Sequence, residues 1–323
     1  MKEIIRQIND HECFYIFGHT DPDGDCIGSQ LATGMFLRRL GKRVKLFSEG
    51  GFTRQDIKKY ESFFETEFVP FEDEKGKAMV IITDCSTPDR IGKFRDCIAG
   101  YKSIIIDHHS SGSEFGDFRF IRPDSASNTL LIYNLMKEMG IKPTLEEAEI
   151  LFLGICTDTG FFKHLTTISA AATFKAASEL AELGVSPNKT FFEINGNRKF
   201  DSMTHTARSL SRLRRYYGDR LLITYDLMED FEEIPKECRN IDLVYMLALS
   251  TENVKVIAAV KQENPEKITV GLRTRDENID LGKFCAQFGG GGHRKAAGFM
   301  VPGGSVEDVI DMIVEGFRPE LGI

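Results

Sequence analysis

The chain has 323 residues, of which 41% are hydrophobic, 28% charged and 10% aromatic, and its formal net charge is -8. This is the composition of a folded protein with room for two domains, and the negative charge argues against a protein that coats duplex nucleic acid. No stretch has the roughly 20 apolar residues of a membrane span, and the seven cysteines are scattered and odd in number, which disfavours a disulfide framework. We expect a reduced, cytoplasmic protein.

The first half of the chain alternates between two apolar patterns. Short apolar runs predict strands at 14–19, 43–49, 78–84 and 102–109, and apolar residues at helical spacing predict helices at 29–41, 129–140 and 145–160. The runs at 78–84 and 102–109 are almost continuous, as in strands covered on both faces. This alternation predicts an α/β domain with a mostly parallel sheet flanked by helices.

The second half has a different spacing of elements. Residues 186–205 have mixed polarity and turn residues, so we predict a connector there. Beyond it, the pattern predicts strands at 221–227, 254–262 and 267–275 and a helix at 243–250. These elements predict a second, smaller α/β domain.

Three predicted strands end in polar side chains. His19 follows the first strand, Asp84 ends the third, and Asp107, His108 and His109 end the fourth. In open α/β sheets, ligands bind at the carboxyl ends of the strands. We therefore expect these side chains to face one crevice.

The segment GHTDPDGDCIGS (18–29) holds the densest group of acids, with His19, Asp23 and Asp25 on a predicted tight turn. Clustered carboxylates repel one another unless a cation lies between them, and histidine with carboxylates suits Mn²⁺ or a comparable divalent ion. Each residue alone also has an ordinary explanation as a solvated turn, a helix cap or a surface histidine. Their shared position at one sheet edge favours a metal site.

Five motifs, in this order, resemble the DHH phosphoesterase superfamily: GHTDPDGDCIGS, VIITDCS, IIIDHHSSG, GICTDTG and FGGGGHRKAAGF. The last motif resembles the DHHA1 subfamily, and the length and two-part layout resemble bacterial oligoribonucleases that also dephosphorylate pAp. The resemblance implies a catalytic domain at 1–190, a connector at 191–210 and a DHHA1 substrate-binding domain at 211–323. This chain has Asn128 where members of the superfamily often have an acid.

The resemblance also implies two divalent metal ions, with Mn²⁺ favoured. The side chains expected to hold the first ion are those of His19, Asp23 and Asp84. Those expected to hold the second are Asp25, Asp84, His108 and Asp158, so that Asp84 bridges the pair. Asp107 is expected to orient an imidazole, and His109 is expected to face the scissile phosphate.

On the substrate side, we expect Gly290, Gly291, Gly292 and His293 to contact a phosphate, because glycines let backbone amides approach an anion closely. Arg273 resembles the arginine that faces the substrate cleft in the superfamily, and its guanidinium suits a terminal phosphate. The structural alternative is a flexible turn followed by a helix with a basic face, and it applies best to Arg294 and Lys295, whose side chains would then be solvated. Four phenylalanines that could stack on bases are predicted to be core residues instead: Phe161, Phe162, Phe191 and Phe192.

These observations predict a two-metal phosphoesterase that acts on short 5′-phosphorylated single-stranded oligoribonucleotides and on pAp. An inorganic pyrophosphatase of family II type, a phosphodiesterase of linear or cyclic dinucleotides and a nucleotide-sensing module without turnover remain alternatives. The expected partners are these substrates, without a membrane, and a homodimer is compatible with the resemblance.

Overall fold

The computed structural model describes residues 1–74, 76–110, 112–196 and 198–322. Its internal packing divides the chain into two units, Met1–Asn197 (unit 1) and Arg198–Ile323 (unit 2). The segment predicted as a connector is not irregular, because helices Pro187–Asn195 and Phe200–Ser211 flank the boundary. Ser186, the first residue of the segment predicted as a connector, caps the first of these helices by accepting a hydrogen bond from the Lys189 N–H.

Unit 1 is a parallel sheet with helices around it. Its strands are β1 Cys13–Phe17, β2 Arg43–Phe47, β3 Ala78–Thr83, β4 Ser103–Asp107 and β5 Phe118–Ile121. Its helices are α1 Lys2–Asp10, α2 Gly24–Arg39, α3 Gln55–Lys58, α4 Asn128–Glu138, α5 Leu145–Asp158, α6 Ala170–Glu182 and α7 Pro187–Asn195, with 3₁₀ turns at Glu61–Phe63 and Pro88–Phe94. The strand order is β2-β1-β3-β4-β5, and every neighbouring pair is parallel. The predicted α/β class and parallel sheet are confirmed.

The middle of this sheet is buried on both faces. Every residue of β1 and β3 is buried, which explains why their sequences, CFYIF and AMVIIT, are apolar without alternation. The edge strand β5 is only partly buried. Because β1, β3 and β4 are adjacent and parallel, their carboxyl ends lie at one edge of the sheet.

Helices α2, α4 and α5 pack closely behind that edge. A Cβ atom on Gly154 of α5 would collide with the Thr129 side chain of α4 and lie 2.9 Å from Asp25 Oδ1 of α2. Glycine at 154 therefore allows the three helices to approach one another where they carry Asp25 and Thr129.

Unit 2 is a second, mixed sheet with helices. Its strands are β6 Arg214–Tyr216, β7 Leu221–Asp226, β8 Val256–Asn264, β9 Lys267–Thr274, β10 Gly291–His293 and β11 Ala296–Pro302. Its helices are α8 Phe200–Ser211, α9 Met228–Glu233, α10 Asp242–Leu249, α11 Leu281–Ala286 and α12 Val306–Glu320, with a 3₁₀ turn at Lys236–Cys238. The order is β10-β11-β9-β8-β7-β6, and β7 and β8 are parallel while the other pairs are antiparallel. This confirms the predicted second α/β domain.

The amphipathic helix α12 closes the core of unit 2. Its buried residues recur at helical spacing: Val306, Val309, Ile310, Ile313 and Phe317. Among the helices in the described ranges, none combines the length and the apolar character that crossing a bilayer requires.

Candidate metal centre

The carboxyl ends of β1, β3 and β4 bring four predicted site residues to one place. Phe17 is paired with Ile82, and Thr83 with Ile106, so the residues that follow these strands lie side by side. Three groups of side chains offer ligand atoms that all lie within 4.8 Å of one another: His19, Cys26 and Asp84; Asp84, His108 and His109; and Asp25, His108 and Asp158. Residues from four separate chain segments thus meet at this edge.

Asp84 belongs to two of these three groups. Its Oδ2 lies 3.4 Å from His19 Nε2, and its Oδ1 lies 3.4 Å from His108 Nε2. The side chain is 3% exposed, and Oδ1 has no hydrogen-bond partner among the described residues. Asp84 also has a φ of 57°, a left-handed conformation that costs energy for a residue with a Cβ. The fold therefore holds a strained, buried carboxylate with one oxygen unpaired.

Asp25 lies in the first turn of α2 and is 1% exposed. Its Oδ1 accepts hydrogen bonds from the Thr129 N–H at 2.8 Å and the Thr129 hydroxyl at 2.6 Å, and its Oδ2 accepts one from the Asn128 N–H at 2.6 Å. The amino-terminal end of α4 thus fixes the Asp25 carboxylate. This end of a helix is where a carboxylate is favoured by the helix dipole.

Asn128 supports both acids, a role that the sequence did not reveal. Its side chain is fully buried, and in the orientation that satisfies all its neighbours Nδ2 donates to the Ile106 carbonyl at 3.0 Å. In that orientation Oδ1 accepts from the Asp84 N–H at 3.1 Å and from the Ser29 hydroxyl at 2.9 Å. Asn128 therefore contacts Asp25 through its backbone and Asp84 through its side chain. The sequence feature that could have indicated this role is the SASNT segment, because its serine Ser127 caps α4 and so places Asn128 at the start of the helix.

Asp158 is the last residue of α5, and its Oδ2 lies 3.5 Å from His108 Nε2. The next residues form an unusual run of left-handed conformations, with φ values of 55°, 56° and 69° at Gly160, Phe161 and Phe162. The Thr159 hydroxyl stabilises this run by donating to the Ile155 carbonyl and accepting from the Phe162 N–H. A strained turn thus ends the helix directly beside Asp158.

Asp107 and His109 form a separate pair at the same edge. Asp107 is fully buried, and its Oδ1 lies 2.8 Å from His109 Nδ1 and accepts from the backbone N–H groups of His108 and His109. The imidazole that Asp107 orients is thus that of His109. With 36% exposure, the His109 side chain is more open to solvent than those of His19 and His108.

Asp23 is the exception among the predicted metal ligands, since it belongs to none of the three groups. It is the amino-terminal cap of α2, and its Oδ1 accepts from the N–H groups of Asp25 and Cys26. This is the ordinary capping arrangement that we considered for these acids. Its position at the start of α2 keeps it next to Asp25.

In this cluster, the negative charge of the carboxylates exceeds the positive charge that the neighbouring histidines can supply. Burial, followed by the charges of Asp84 and Asp158, raises the pKa of Asp25 well above its usual value. Burial also raises the pKa of Asp158 to about 6. Burial opposes charge on Asp84 and His108 as well, but their mutual interaction lowers the pKa of Asp84 to about 2 and raises that of His108 to about 10. Without a further cation, these side chains must hold protons to coexist.

Comparisons with known proteins agree with this geometry. Residues 13–155 match the DHH family, N-terminal domain, and residues 234–318 match the DHHA1 domain. The chain therefore carries the two domains of the DHH phosphoesterases, a DHH domain in its first half and a DHHA1 domain in its second. It is 28% identical over 310 residues, 95% of this chain and 90% of the other, to the bifunctional oligoribonuclease and PAP phosphatase NrnA of Thermus thermophilus.

Two solved structures share the fold of this DHH protein. An exopolyphosphatase-related protein from Bacteroides fragilis has a TM-score of 0.80 at 23% identity, and the match covers 100% of this chain and 97% of that one. The exonuclease RecJ bound to manganese has a TM-score of 0.51 at 15% identity, over 98% of this chain and 93% of that one. The resemblance stated from the motifs is thus confirmed.

The residues at the sheet edge fit divalent cations. The available atoms are imidazole nitrogens and carboxylate oxygens, the set that suits Mn²⁺ and similar ions. Asp84 Oδ1 is buried and accepts no hydrogen bond within the described part of the chain, although the imidazole of His108 lies 3.4 Å away. A cation there would supply a partner and would remove the repulsion among Asp25, Asp84 and Asp158.

In unit 2, the predicted phosphate-binding glycines lie on and beside the edge strand β10. A Cβ at Gly290 would collide with Gly298 and Phe299, and one at Gly292, whose φ is 141°, would lie 2.6 Å from Ala297 Cα. These two glycines are therefore required for the pairing of β10 with β11. A Cβ at Gly291 would meet open space, and Gly291 and His293 are exposed.

The basic side chains nearby have different surroundings. The Arg273 guanidinium lies over the Tyr245 ring, 4.8 Å from its centroid, and donates to the Leu272 carbonyl. Lys295 pairs with the Glu277 carboxylate, and Arg294 donates to the Glu277 carbonyl. Arg294 and Lys295 thus contact a neighbouring loop residue, and the strand β11 follows them where the structural alternative expected a helix with solvated basic side chains.

The expectation that four phenylalanines are core residues is wrong for two of them. Phe191 and Phe192 of α7 are 42% and 57% exposed, while Phe161 and Phe162 are partly buried against the core of unit 1. The short helix α7 presents both exposed rings because they are adjacent in sequence, and only one helical face can be buried.

Proposed function

We propose that this protein is a two-metal phosphoesterase that hydrolyses short 5′-phosphorylated oligoribonucleotides to mononucleotides and removes the 3′-phosphate of pAp. The observation that carries the proposal is the convergence of Asp25, Asp84, Asp158, His19 and His108 with an unpaired buried oxygen on Asp84. Its substrate class is that named for the NrnA relative, which matches almost the whole of this chain.

The proposed ligands are those that the resemblance implies, and all of them except Asp23 belong to the three groups of neighbouring side chains. His19, Asp23 and Asp84 would hold one cation, and Asp25, Asp84, His108 and Asp158 the other, with Mn²⁺ favoured. Bound at this edge, two divalent cations would lower the pKa of a water molecule and neutralise the charge that develops on the phosphoryl oxygens. Asn128 and Thr129 would act as positioning residues by holding Asp25 and Asp84 in place.

Space for the substrate exists beside the ligands in unit 1. A cavity of about 390 Å³ is lined by His108 and Asp158 together with Ser125, Thr166 and Ser169. Hydroxyl groups in its lining can donate to and accept from a ribose or a base. A cavity of this size accommodates a nucleoside unit next to the reacting phosphate. In unit 2, Arg273, Gly290, Gly291, Gly292 and His293 are the groups proposed to bind a phosphate.

His109 is proposed to act on the phosphate itself. Because Asp107 Oδ1 accepts from Nδ1, the imidazole is held with its Nε2 directed away from that carboxylate. His109 Nε2 can then donate a hydrogen bond to the phosphoryl group or hand a proton to the leaving oxygen. Its greater exposure compared with His19 and His108 fits contact with a substrate.

A substrate panel tests the proposed function. Purified protein with Mn²⁺ is offered a 5′-phosphorylated RNA dinucleotide, pAp and pyrophosphate in separate reactions. We expect release of mononucleotides from the dinucleotide and of phosphate from pAp. Hydrolysis of pyrophosphate alone would support the pyrophosphatase alternative, and binding of the dinucleotide without cleavage would contradict an enzyme.

The His109→Ala variant tests the assigned role of this residue. General acid–base groups contribute about 10²–10⁴-fold to rate, so kcat should fall within that range while the amount of bound manganese stays the same. His11→Ala is the control, because His11 follows α1, away from the candidate metal centre, and its ring nitrogen Nδ1 contacts the Gln7 carbonyl. Loss of manganese from the His109→Ala protein would show that His109 supports the metals rather than the phosphate.

A further inference from the structure

Unit 2 contains a cavity that the proposed reaction does not use. It has a volume of about 310 Å³, and the polar residues that line it include His205, Asp226, Lys236, Arg239 and Lys261. All of its lining residues belong to unit 2. The volume is at the lower end of the range for small-molecule sites.

This cavity and the glycine-rich segment lie on different strands of the same sheet. Gly291 and His293 belong to the edge strand β10, whereas the cavity involves Asp226 at the end of β7 and Lys261, its partner on β8. The strand order places β11 and β9 between β10 and β8. The two groups of residues are therefore separated by two strands.

The buried side of the cavity is a polar network. His205 of α8 is 2% exposed, and its Nε2 lies 3.2 Å from Asp226 Oδ2, while the Ser209 hydroxyl donates to Asp226 Oδ1 at 3.2 Å. Nε2 must carry the proton in this contact, because a carboxylate can only accept. His205 Nδ1 has no hydrogen-bond partner among the described residues. A buried polar atom without a partner is costly, so this network is incomplete as it stands.

Three cationic side chains line the same cavity. Arg239 is fixed in place, because it donates to the carbonyls of Ile234 and Phe231 and lies over the Phe231 ring. Over the described residues, none of the cations of Lys236, Arg239 and Lys261 forms an ion pair with a carboxylate. Glu263 also lines the cavity, and it is exposed.

The charge balance inside the cavity is therefore positive. Among the described lining residues, three cations face two carboxylates, those of Asp226 and Glu263, because the hydrogen bonds from His205 and Ser209 leave the charge of Asp226 in place. Like charges that share a site repel one another unless a counter-ion lies between them. In a chain with a net charge of -8, such a local excess of cations is unusual.

We propose that this cavity binds a small organic phosphomonoester, with its phosphoryl group between Lys236, Arg239 and Lys261. A guanidinium and two ammonium groups suit a dianionic phosphoryl group, and the Phe231 ring and Ile241 give the organic part an apolar wall. Three lining residues, His205, Asp226 and Phe231, precede the DHHA1 match at 234–318. The site goes beyond the proposed reaction, because it would bind a ligand without hydrolysing it.

The cluster also has a purely structural explanation, in which the His205–Asp226 pair anchors α8 to the sheet and the cations remain solvated. The two explanations differ in the effect of reversing one charge at the cavity. Lys261→Glu should abolish binding if the cation contacts a phosphoryl group. Lys267→Glu makes the same charge change on the neighbouring strand β9, outside the cavity.

Equilibrium dialysis of the metal-free, full-length protein provides the test, with AMP and inorganic phosphate as separate probes. We expect AMP to bind with a Kd below about 1 mM and Lys261→Glu to weaken it at least about tenfold, the effect of losing a hydrogen bond to a charged group. The Lys267→Glu variant should bind AMP like the wild type. Lys261→Met, which keeps the aliphatic side chain, should show the same loss if Lys261→Glu folds poorly.

Several results would overturn the proposal. These are the absence of AMP binding, equal binding by the wild type and both Lys261 variants, and binding of inorganic phosphate as tight as that of AMP. The Asp84→Asn variant locates the bound AMP, because it alters the metal centre and leaves this cavity intact. Retained binding in Asp84→Asn supports the cavity, and loss of binding there places AMP at the metal centre instead.

Discussion

Two groups of buried carboxylates, one in each unit, differ in what neutralises them. In unit 2, Asp230 is 3% exposed and pairs with the guanidinium groups of Arg208 and Arg212, and its Oδ2 also accepts from the Leu227 N–H. In unit 1, the buried carboxylates of Asp25 and Asp84 and the partly exposed carboxylate of Asp158 lie around the imidazole of His108. The charge of Asp230 is thus balanced by arginines of the chain itself. The carboxylates around His108 would need an added cation for the same balance.

This difference separates a structural acid from a functional one. Burial opposes charge on Asp230, but the hydrogen bonds from Arg212, Leu227 and Arg208 outweigh it and lower its pKa to about 2. At Asp158, burial prevails and raises the pKa to about 6. Opposite pKa shifts of buried acids therefore point to opposite effects of substitution on folding and on metal binding.

The largest expected effect is on metal binding. Asp84→Asn should lower the affinity for Mn²⁺ by more than the roughly 10–100-fold that loss of a supporting partner causes, because the proposed bridging carboxylate loses its charge. The matched control is Asp230→Asn, which removes a buried carboxylate from unit 2. The manganese content of each variant after dialysis measures this effect. Equal manganese retention in Asp84→Asn and Asp230→Asn would contradict a special role of the unit 1 carboxylates in metal binding.

The second effect is on stability, and it concerns Asp230. A carboxyl group whose folded-state pKa is lowered contributes stability above its unfolded-state pKa, and loses it as the pH falls through the folded value. Asp230→Asn should therefore destabilise unit 2 by about 2–3 kcal/mol at pH 7. The difference in the free energy of unfolding between the wild type and the variant should narrow between about pH 4 and pH 2. Hydrogen exchange of peptides from α8 and α9 measures the unfolding of unit 2. An undiminished difference at pH 2 would contradict the electrostatic explanation.

The third effect is smaller and opposite in sign. The raised pKa of Asp158 means that the folded state favours the proton, so ionisation costs stability, increasingly from about pH 4 to pH 6. In metal-free protein at pH 7, Asp158→Asn should stabilise unit 1 by about 1–2 kcal/mol, and the gain should vanish near pH 4. Thermal unfolding followed by circular dichroism measures it. Saturating Mn²⁺ should reverse the order, because the ion stabilises the wild type.

A loss of stability in metal-free Asp158→Asn at pH 7 would show that this acid already has adequate partners within the protein. Asp158 would then resemble Asp230, and the comparison between the two groups would fail.

The sequence predicted those parts of the fold that depend on short-range pattern. Continuous apolar runs identified the buried strands β3 and β4, and periodicity identified α4 and α5, to within a few residues. The alternation of these elements then predicted the parallel sheet and placed Asp84 and His108 at one edge. This worked because strand direction alone determines which residues share that edge.

Other features depend on contacts between distant segments and left no local pattern. Asn128 is one residue in a polar segment, and its contact with Asp84 arises only when α4 packs against β3 and β4. The amphipathic helix α12 and the cavity beside His205 were not predicted. The cavity is formed by residues from α8, β7, β8 and the 3₁₀ turn, which no spacing rule connects. The exposure of Phe191 likewise depends on what covers α7.

The central claim is that the carboxylates of unit 1 hold a pair of divalent cations. Anomalous diffraction from a crystal grown with Mn²⁺ tests it most directly. We predict two adjacent peaks, both next to Asp84, with His19 on one side and Asp25, His108 and Asp158 on the other. Manganese peaks elsewhere on the molecule, with none beside Asp84, would contradict the account.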